Sequence, residues 1–256
     1  MKSKNISILG NGWLGNSLAK NLALEFININ VSNRKEHCIF EKTNINHFFI
    51  DIDNMYYKDN NFFNCDVLII NIPSKNIKAF RYLIEKIEKS SIQNIIFVSS
   101  TSVYNDINAT IKESDNYEDK DKVLYQIEQL FLKNKSFNTT IIRFGGLLGY
   151  GRHPGAFFKN KIVKNANAYV NMIYRDDCIN IIFEIIKQNK WNETFNCCAT
   201  THPTKKEFYT YSAKQLDINL EFEENITSSY KIISNEKVKD ILNYKFKYPD
   251  LLKIIY

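Results

Sequence analysis

The sequence predicts an α/β fold, with a doubly wound parallel sheet in residues 1–150 and a small α/β cap in residues 151–256. Apolar, β-prone runs alternate with segments of helical periodicity, which is typical of a parallel sheet with crossover helices. The first run is broken by the glycine turn GNGWLG, and several later runs end in polar or glycine-rich segments. With no linker or internal repeat in the chain, we expect the cap to pack directly on the sheet.

The first strand, turn and helix lie in ISILGNGWLG, residues 6–15, after which apolar residues recur every four positions up to Phe26. This order suits a dinucleotide site. Gly10 permits a tight turn, Gly12 lets the backbone approach a pyrophosphate, and Gly15 lets the helix pack closely on the strand. The helix N-terminus then offers N–H groups and a positive dipole end to phosphates. A tight turn without a ligand is the alternative.

The second strand is predicted at Asn28–Ser32, and the residues after it bear on the choice of cofactor. An acidic residue at this place favours NAD, because it binds the ribose hydroxyls. This chain has Asn33, Arg34 and Lys35 instead, which suit a 2′-phosphate. We therefore expect NADP as the cofactor, with NAD as a possible one. A solvated basic turn is the alternative.

The same patterns predict the remaining elements. Strands are expected at His47–Ile52, Cys65–Ile72, Asn94–Ser99, Thr140–Phe144, Tyr169–Ile173 and Thr194–Cys198, and helices at Ile77–Ser90, Asp119–Lys133, Ala156–Asn165, Asp177–Gln188, Lys205–Leu216 and Ser234–Leu242. Ligands of such sheets bind outside the carboxyl ends of the strands. The segments expected there are Gly10–Gly15, Ser32–Lys35, Asp51, Asn71–Ser74, Ser99–Tyr104 and Gly145–His153, with Asp51 placed to read an adenine amino group.

Composition excludes several classes of function. The 256 residues carry a net charge of +6 without a basic block, so no nucleic-acid partner is expected. No apolar run approaches the ~18 residues of a membrane span. Five cysteines without a CxxC pattern and no apparent leader predict reduced thiols and a cytoplasmic location. The four histidines lack metal-ligand spacing. We expect a small-molecule substrate, no membrane, and a monomer or homodimer.

Six stretches carry a family resemblance: GNGWLG, SSTSVY, RFGGLLGYGRHPG, VNMIYRDD, FNCCATTHP and SNEKVKDILNYKFKYP. In this order they resemble the extended or atypical short-chain dehydrogenases/reductases, and more narrowly the YeeZ-like group of the NAD-dependent epimerase/dehydratase family. The resemblance covers nearly the whole chain. It implies a Rossmann-type NAD(P)-binding domain in residues 1–150 and a substrate region in residues 151–256, but it does not fix the substrate.

The resemblance also implies roles for single residues. Ser100 matches the catalytic serine or threonine that hydrogen-bonds the reacting carbonyl or alcohol, Arg34 matches a 2′-phosphate contact, and Asp177 matches an aspartate that caps a helix. The predicted cofactor-binding residues are Gly10, Gly12, Trp13, Leu14, Gly15, Asn33, Arg34, Lys35, Asp51, Asn71, Pro73, Ser99 and Arg143.

The chain departs from the family at the proton relay. The family uses Tyr-x-x-x-Lys on the helix after the serine strand, where Lys120 and Leu124 align here. Lys120 falls on the apolar side of the predicted helix. The predicted catalytic residues are Ser100, Lys120 and His153; His153 is either a titrating group or a loop residue fixed by the proline after it. Tyr104, another potential acid, is expected to pack beneath the serine loop.

Two functions remain open at this point. The first is an NAD(P)-binding oxidoreductase or epimerase/dehydratase-like enzyme, preferring NADP, that acts on a small polar or sugar-nucleotide-like substrate. The second is a catalytically inactive dinucleotide-binding sensor or scaffold, which the missing Tyr–Lys pair favours.

Overall fold

The computed structural model describes residues 4–34, 44–223 and 229–256. In these ranges the helices are α1 Trp13–Leu22, α2 Ile77–Glu88, α3 Val123–Leu132, α4 Arg175–Gln188, α5 Lys205–Lys214 and α6 Glu236–Leu242. The strands are β1 Asn5–Leu9, β2 Asn28–Asn33, β3 Ile45–Asp51, β4 Tyr56–Tyr57, β5 Val67–Ile70, β6 Asn94–Ser100, β7 Ala109–Ile111, β8 Asn138–Phe144, β9 Gly146–Leu148, β10 Ile162–Val163, β11 Met172–Tyr174, β12 Thr194–Cys197, β13 Glu221–Phe222 and β14 Lys231–Ile233.

Eight strands form one sheet in the order β12-β8-β6-β5-β1-β2-β3-β4. The pairs of β1 with β2 and β5 are parallel, as are β2 with β3 and β5 with β6, whereas β4 is antiparallel to β3. Chain order runs outward from β1 in both directions, so the point where it reverses lies between β1 and β5. Leu9 pairs with Ser32 on one side and Ile70 on the other, which aligns three carboxyl ends. The predicted Rossmann-type, doubly wound α/β fold is confirmed.

The strands beside β1 are buried on both faces. All four residues of β5 are buried, which confirms the interpretation of the apolar run in residues 65–72. Helices α2 and α3 cover one face with aromatic side chains: the rings of Phe80 and Phe131 lie 6.0 Å apart, and those of Phe97 and Phe131 lie 5.2 Å apart. Such packing stabilises the sheet through burial of large apolar surfaces.

The chain forms two compact units. The first unit consists of residues 1–99, 119–142 and 182–194, and the second of residues 100–118, 143–181 and 195–256. The second unit has its own apolar core, which includes Leu148, Val163 and Phe208. It also contains three two-stranded parallel pairs, β9 with β11, β7 with β14, and β10 with β13. The functional boundary predicted between residues 150 and 151 stays a prediction.

The helix predicted at Ala156–Asn165 is wrong. A short 3₁₀ turn occupies Pro154–Ala156, and the strand β10 begins at Ile162. Asn160 and Asn165 both have left-handed backbone conformations, with φ of 62° and 54°. Asparagine tolerates this conformation, but a right-handed helix cannot pass through it.

The helix predicted at Asp119–Lys133 begins four residues later, at Val123. The carboxylate of Asp119 accepts a hydrogen bond from the Asp121 N–H, and its carbonyl accepts one from the Lys122 N–H, so Asp119 closes a separate turn. Lys120 lies in that turn with its side chain exposed. The placement of Lys120 on a helix face is therefore wrong.

Four of the five cysteines lie within the described residues, and all four are buried. This confirms the interpretation of Cys197 and Cys198 as core thiols; Cys38 lies outside the described ranges. Among the helices in the described ranges, none combines the length and apolar character that a membrane span requires.

Asp177, expected to cap a helix, has a different role. It lies in the first turn of α4, and its buried carboxylate accepts hydrogen bonds from the Tyr244 hydroxyl at 2.7 Å, the Lys247 N–H at 2.7 Å and the Tyr248 N–H at 3.1 Å. Burial raises its pKa, and the three donors oppose that rise. The late stretch YKFKY is thus held to α4 by the Asp177 carboxylate and also by the ion pair of Lys247 with Asp176, at 2.7 Å.

Candidate functional site

A cavity of about 550 Å³ lies in the first unit at the carboxyl ends of β1, β2, β3 and β5. Four segments line it: residues 9–12, 32–34, 50–53 and 71–74. Each segment follows or ends a strand, and the cavity lies at the point where the strand order reverses. A doubly wound sheet binds its ligand at this position.

The three glycines of the first turn differ in what a side chain at their position would contact. Gly10 has φ of +106°, and a Cβ there would lie 2.3 Å from the Asn71 carbonyl oxygen. A Cβ on Gly15 would lie 2.0 Å from the Gly10 carbonyl oxygen. A Cβ on Gly12 would meet no atom of the described residues within 4 Å, and Gly12 lines the cavity. Gly10 and Gly15 are thus required by packing, whereas Gly12 faces open space.

Helix α1 begins at this turn. Gly12 is its N-cap residue and has no side chain to accept a hydrogen bond from the first turn, which also contains no acidic residue. This N-terminus is suited to an anionic ligand. Leu14 is 3% exposed and packs in the core, so its contribution to the site is structural. Trp13, the first helical residue, is half-buried.

The end of β2 is joined directly to the glycine turn. Ser32 is buried, its hydroxyl accepts a hydrogen bond from the Gly10 N–H at 3.2 Å, and its carbonyl accepts one from the Asn11 N–H at 2.9 Å. Asn33 and the exposed Arg34 line the cavity. Lys35, predicted to bind the same ligand group, lies outside the described residues.

The opposite wall is formed by the turns after β3 and β5. The Asp51 carboxylate accepts hydrogen bonds from the Asp53 N–H at 3.1 Å and the Asn54 side chain at 2.9 Å, so it closes the turn after β3. The Asn71 side chain donates to the Gly10 carbonyl at 3.3 Å and supports the glycine turn. Pro73 lines the cavity beside it. Their roles in cofactor binding stay predictions.

The residues present fit a dinucleotide. The Gly12 backbone faces the cavity without a side chain, as close approach of a pyrophosphate requires. Asn11 and Asn33 line the cavity, and three of their polar atoms are buried and have no hydrogen-bond partner among the described residues: both side-chain polar atoms of Asn11 and Oδ1 of Asn33. Buried polar atoms are normally paired, so these three are suited to a polar ligand.

The two serines at the end of β6 have separate partners. The Ser99 hydroxyl donates to Oε1 of the buried Glu128 at 2.5 Å, within the first unit. The Ser100 oxygen accepts a hydrogen bond from the Ser102 N–H at 3.1 Å and caps the 3₁₀ turn Thr101–Val103. That bond uses a lone pair of Ser100 and not its hydrogen. The buried position of Glu128 was not predicted from the sequence, although a carboxylate beside the apolar residues of the predicted helix was a signal of a buried partner.

Arg143 belongs to a buried polar cluster in the second unit. Its Nη1 contacts Oε1 of Glu118 at 2.5 Å and the Tyr104 hydroxyl at 2.6 Å. The Tyr104 hydroxyl donates to Oδ1 of Asn196 at 3.0 Å, and burial raises the pKa of Tyr104 to about 12. Tyr104 is fully buried at the end of the serine loop, as expected. The cofactor-binding role predicted for Arg143 is not tested by this cluster and stays a prediction.

His153 lies directly before the 3₁₀ turn Pro154–Ala156 and caps it, and the choice between a titrating group and a loop residue stays a prediction. Its Nδ1 accepts a hydrogen bond from the Gly155 N–H at 3.1 Å, and its ring centroid lies 5.0 Å from that of Tyr256. Burial lowers its pKa. The described structure has no hydrogen bond between His153 and Ser100. A catalytic role for His153 or Lys120 stays a prediction.

No protein-family model matches the chain. It is 28% identical to Protein YeeZ of Escherichia coli K12 over 268 aligned positions, covering 97% of this chain and 98% of YeeZ. A structure from Methylobacillus flagellatus, assigned as an NAD-dependent epimerase/dehydratase, superposes with a TM-score of 0.78 at 21% identity and covers 96% of this chain and 94% of its own.

A second structure is UDP-glucuronic acid 4-epimerase from Bacillus cereus in complex with UDP-glucuronic acid and NAD. It superposes with a TM-score of 0.77 at 15% identity and covers 97% of this chain and 95% of its own. At these identities the structures establish the fold. The chain is a homologue of YeeZ over nearly its full length, and it has the fold of the NAD-dependent epimerases and dehydratases.

Proposed function

We propose that this protein binds a nicotinamide dinucleotide, with a preference for NADP, and acts as an oxidoreductase or epimerase/dehydratase-like enzyme on a small polar or sugar-nucleotide-like substrate. The observation that carries the proposal is the cavity at the strand-order reversal, which is lined by the open Gly12 backbone at the start of α1 and by Asn11 and Asn33. The NAD and UDP-sugar bound by the Bacillus cereus epimerase support the ligand classes.

The chain's own residues have distinct tasks in this proposal. The α1 N-terminus and the Gly12 backbone hold the pyrophosphate, and Arg34 pairs with a 2′-phosphate at the end of β2. The bound dinucleotide supplies hydride transfer. Ser100 donates its hydroxyl hydrogen to the reacting oxygen. The hydrogen bond from the Ser102 N–H uses one lone pair of the Ser100 oxygen and leaves that hydrogen available. The proton donor differs from the usual one, since α3 carries Tyr125 followed four residues later by Gln129 rather than lysine.

The NADP preference is tested by replacing Arg34 with glutamine. We expect the Kd for NADPH to rise about tenfold or more, because a charge-assisted hydrogen bond contributes about 1.5–3 kcal/mol, while the Kd for NADH stays unchanged. Nicotinamide fluorescence titrations measure both constants. The control is Arg81→Gln, the same change at an exposed position on α2. Equal effects of Arg34→Gln on both cofactors would refute the preference, and absence of binding of either cofactor to the wild type at millimolar concentration would refute the proposed function.

The second candidate function is a dinucleotide-binding sensor or scaffold without catalysis. The observation that favours it is the absence of a Tyr-x-x-x-Lys sequence from α3, together with the exposed position of Lys120 ahead of that helix. Under this function the cavity binds the dinucleotide as above, and no substrate turns over.

Ser100→Ala discriminates between the two functions. If the protein is an enzyme, we expect NADPH-dependent turnover of a carbonyl or sugar-nucleotide panel to fall by about a hundredfold, as for the loss of one donor to a developing charge. Ser114→Ala, a change at an exposed loop serine of the same unit, is expected to keep full turnover. Wild-type protein that binds NADPH but turns over no member of the panel supports the sensor instead.

A further inference from the structure

The serine loop, residues 100–104, carries the predicted donor hydroxyl at one end and a buried tyrosine at the other. Ser100 precedes the 3₁₀ turn Thr101–Val103, and Tyr104 follows it with an N–H that donates to the Thr101 carbonyl at 3.3 Å. Ser100 is half-buried, whereas Tyr104 has no exposed surface. Because a single short turn joins the two residues, a movement of Tyr104 would also move Ser100.

The Tyr104 hydroxyl is held between two strands. Nη1 of Arg143, in β8, donates to it at 2.6 Å, and the hydroxyl donates to Oδ1 of Asn196, in β12, at 3.0 Å. Arg143 is 2% exposed and Asn196 is fully buried. Since burial raises the pKa of Tyr104 to about 12, the hydroxyl keeps at neutral pH the hydrogen that it donates. Both hydrogen bonds together fix the direction of the ring and its oxygen.

Each of these two partners is held by a carboxylate of the same unit. Oε1 of Glu118 contacts Nη1 of Arg143 at 2.5 Å. Oε1 of Glu113 accepts a hydrogen bond from the Asn196 N–H at 2.7 Å. A buried network of this kind limits the motion of its members. The Tyr104 hydroxyl is therefore the middle of a row of contacts that runs from Glu118 to Glu113.

The main chain of Tyr104 is held as well. Its carbonyl accepts a hydrogen bond from the Lys231 ammonium at 3.1 Å, and that ammonium also pairs with the Asp106 carboxylate at 2.7 Å. Tyr104 forms an antiparallel bridge with Glu118. The buried end of the serine loop is thus fixed through both its side chain and its backbone.

We infer that Tyr104 is a positioning residue for Ser100: its hydroxyl, held between Arg143 and Asn196, fixes the serine loop so that the Ser100 hydroxyl is directed at the reacting oxygen. This inference rests on the proposed function. Tyr104 does not touch the substrate in it, because its side chain is fully buried. Its effect is large because a displacement of a reacting group by about 1 Å can cost about a hundredfold in rate.

The first experiment measures the loop without any ligand. Tyr104→Phe is compared with Tyr244→Phe, which removes another buried hydroxyl of the second unit, one that donates to Asp177 at 2.7 Å. The amide of Ser102 reports the loop conformation, since it donates to the Ser100 oxygen. We expect Tyr104→Phe to speed hydrogen exchange of this amide about tenfold or more, measured by NMR, and Tyr244→Phe to leave it unchanged.

The second experiment measures turnover with NADPH and the carbonyl and sugar-nucleotide panel. We expect Tyr104→Phe to lower kcat about tenfold or more and to change KM less than about twofold. Tyr244→Phe should change neither constant, and Asn196→Ala, which removes the acceptor of the Tyr104 hydroxyl, should lower kcat as well. The double variant Ser100→Ala with Tyr104→Phe should turn over within about twofold of Ser100→Ala alone, because Tyr104 acts through Ser100.

The outcomes separate the inference from the proposed function. If Ser100→Ala slows turnover but Tyr104→Phe keeps the wild-type kcat or the wild-type exchange at Ser102, the inference alone is overturned. Equal losses of kcat in Tyr104→Phe and Tyr244→Phe would also overturn it, because lost stability would then explain both. So would a further loss in the double variant beyond that of Ser100→Ala. Wild type without turnover would overturn the proposed enzyme and the inference together.

Discussion

Replacing Gly12 with alanine is expected to abolish dinucleotide binding while the protein stays folded. Within the described part of the chain the added Cβ meets no atom within 4 Å, and the backbone of Gly12, with φ of −82°, is accessible to alanine. The methyl group instead occupies the space in which a pyrophosphate would approach the backbone. Loss of two charge-assisted hydrogen bonds at about 2 kcal/mol each corresponds to a Kd for NADPH raised about a thousandfold.

The matched variant is Gly15→Ala, three residues further along the same turn. Its Cβ would lie 2.0 Å from the Gly10 carbonyl oxygen, which is backbone and cannot yield. We expect a loss of stability of about 3 kcal/mol or more, in contrast to a change within about 1 kcal/mol for Gly12→Ala. Urea unfolding and fluorescence titration together measure both effects. Gly12→Ala protein that binds NADPH normally would show that Gly12 does not face the phosphates.

Replacing Arg143 with methionine is expected to destabilise the protein by about 3–5 kcal/mol. The Arg143 side chain is 3% exposed and the Glu118 side chain 11% exposed, so the variant leaves a nearly buried carboxylate without its cation. It also removes the donor that contacts the Tyr104 hydroxyl. Urea unfolding measures the loss, and Arg81→Met, at an exposed position on α2, is expected to lose less than about 0.5 kcal/mol.

A double variant separates the ion pair from a role of Arg143 in cofactor binding. Arg143→Met combined with Glu118→Leu removes both charges, and we expect the pair to be less destabilising than the sum of the single changes. Stability of Arg143→Met within about 1 kcal/mol of the wild type, together with lost NADPH binding, would contradict this expectation. That result would favour the cofactor-binding role predicted from the sequence.

Elements whose structure depends on residues close together in the chain were predictable from the sequence. The buried run of β5, the periodicity of α2 and the glycine turn before α1 each carry their signal within a few residues. Gly10 and Gly15 illustrate the reason. Gly10 has a positive φ and Gly15 lies where helix and strand approach closely, and both local conditions strongly favour glycine. The Rossmann-type sheet and the position of the cavity followed from them.

The helical spacing of apolar residues gave wrong predictions where single polar residues set the local backbone conformation. Lys120 continues the helical pattern of the residues after it, yet the Asp119 carboxylate caps a turn of its own, and α3 begins only at Val123. Residues 156–165 show helical spacing as well, and left-handed asparagines interrupt it. A pattern of apolar residues does not report either event, because both depend on the backbone conformation of single polar residues.

The order of strand, glycine turn and helix was predictable from residues that are close together in the chain, and this order led to the expectation of a dinucleotide. The partners of the polar side chains depended on tertiary packing instead: Ser99 pairs with Glu128, 29 positions away, Arg143 with Glu118, 25 positions away, and Asp177 with Tyr244, 67 positions away. Tertiary packing also left both polar atoms of the Asn11 side chain without a hydrogen-bond partner among the described residues. The physical reason is that a side-chain hydrogen bond has no periodicity along the chain, so its partner is fixed only when the strands and helices have packed.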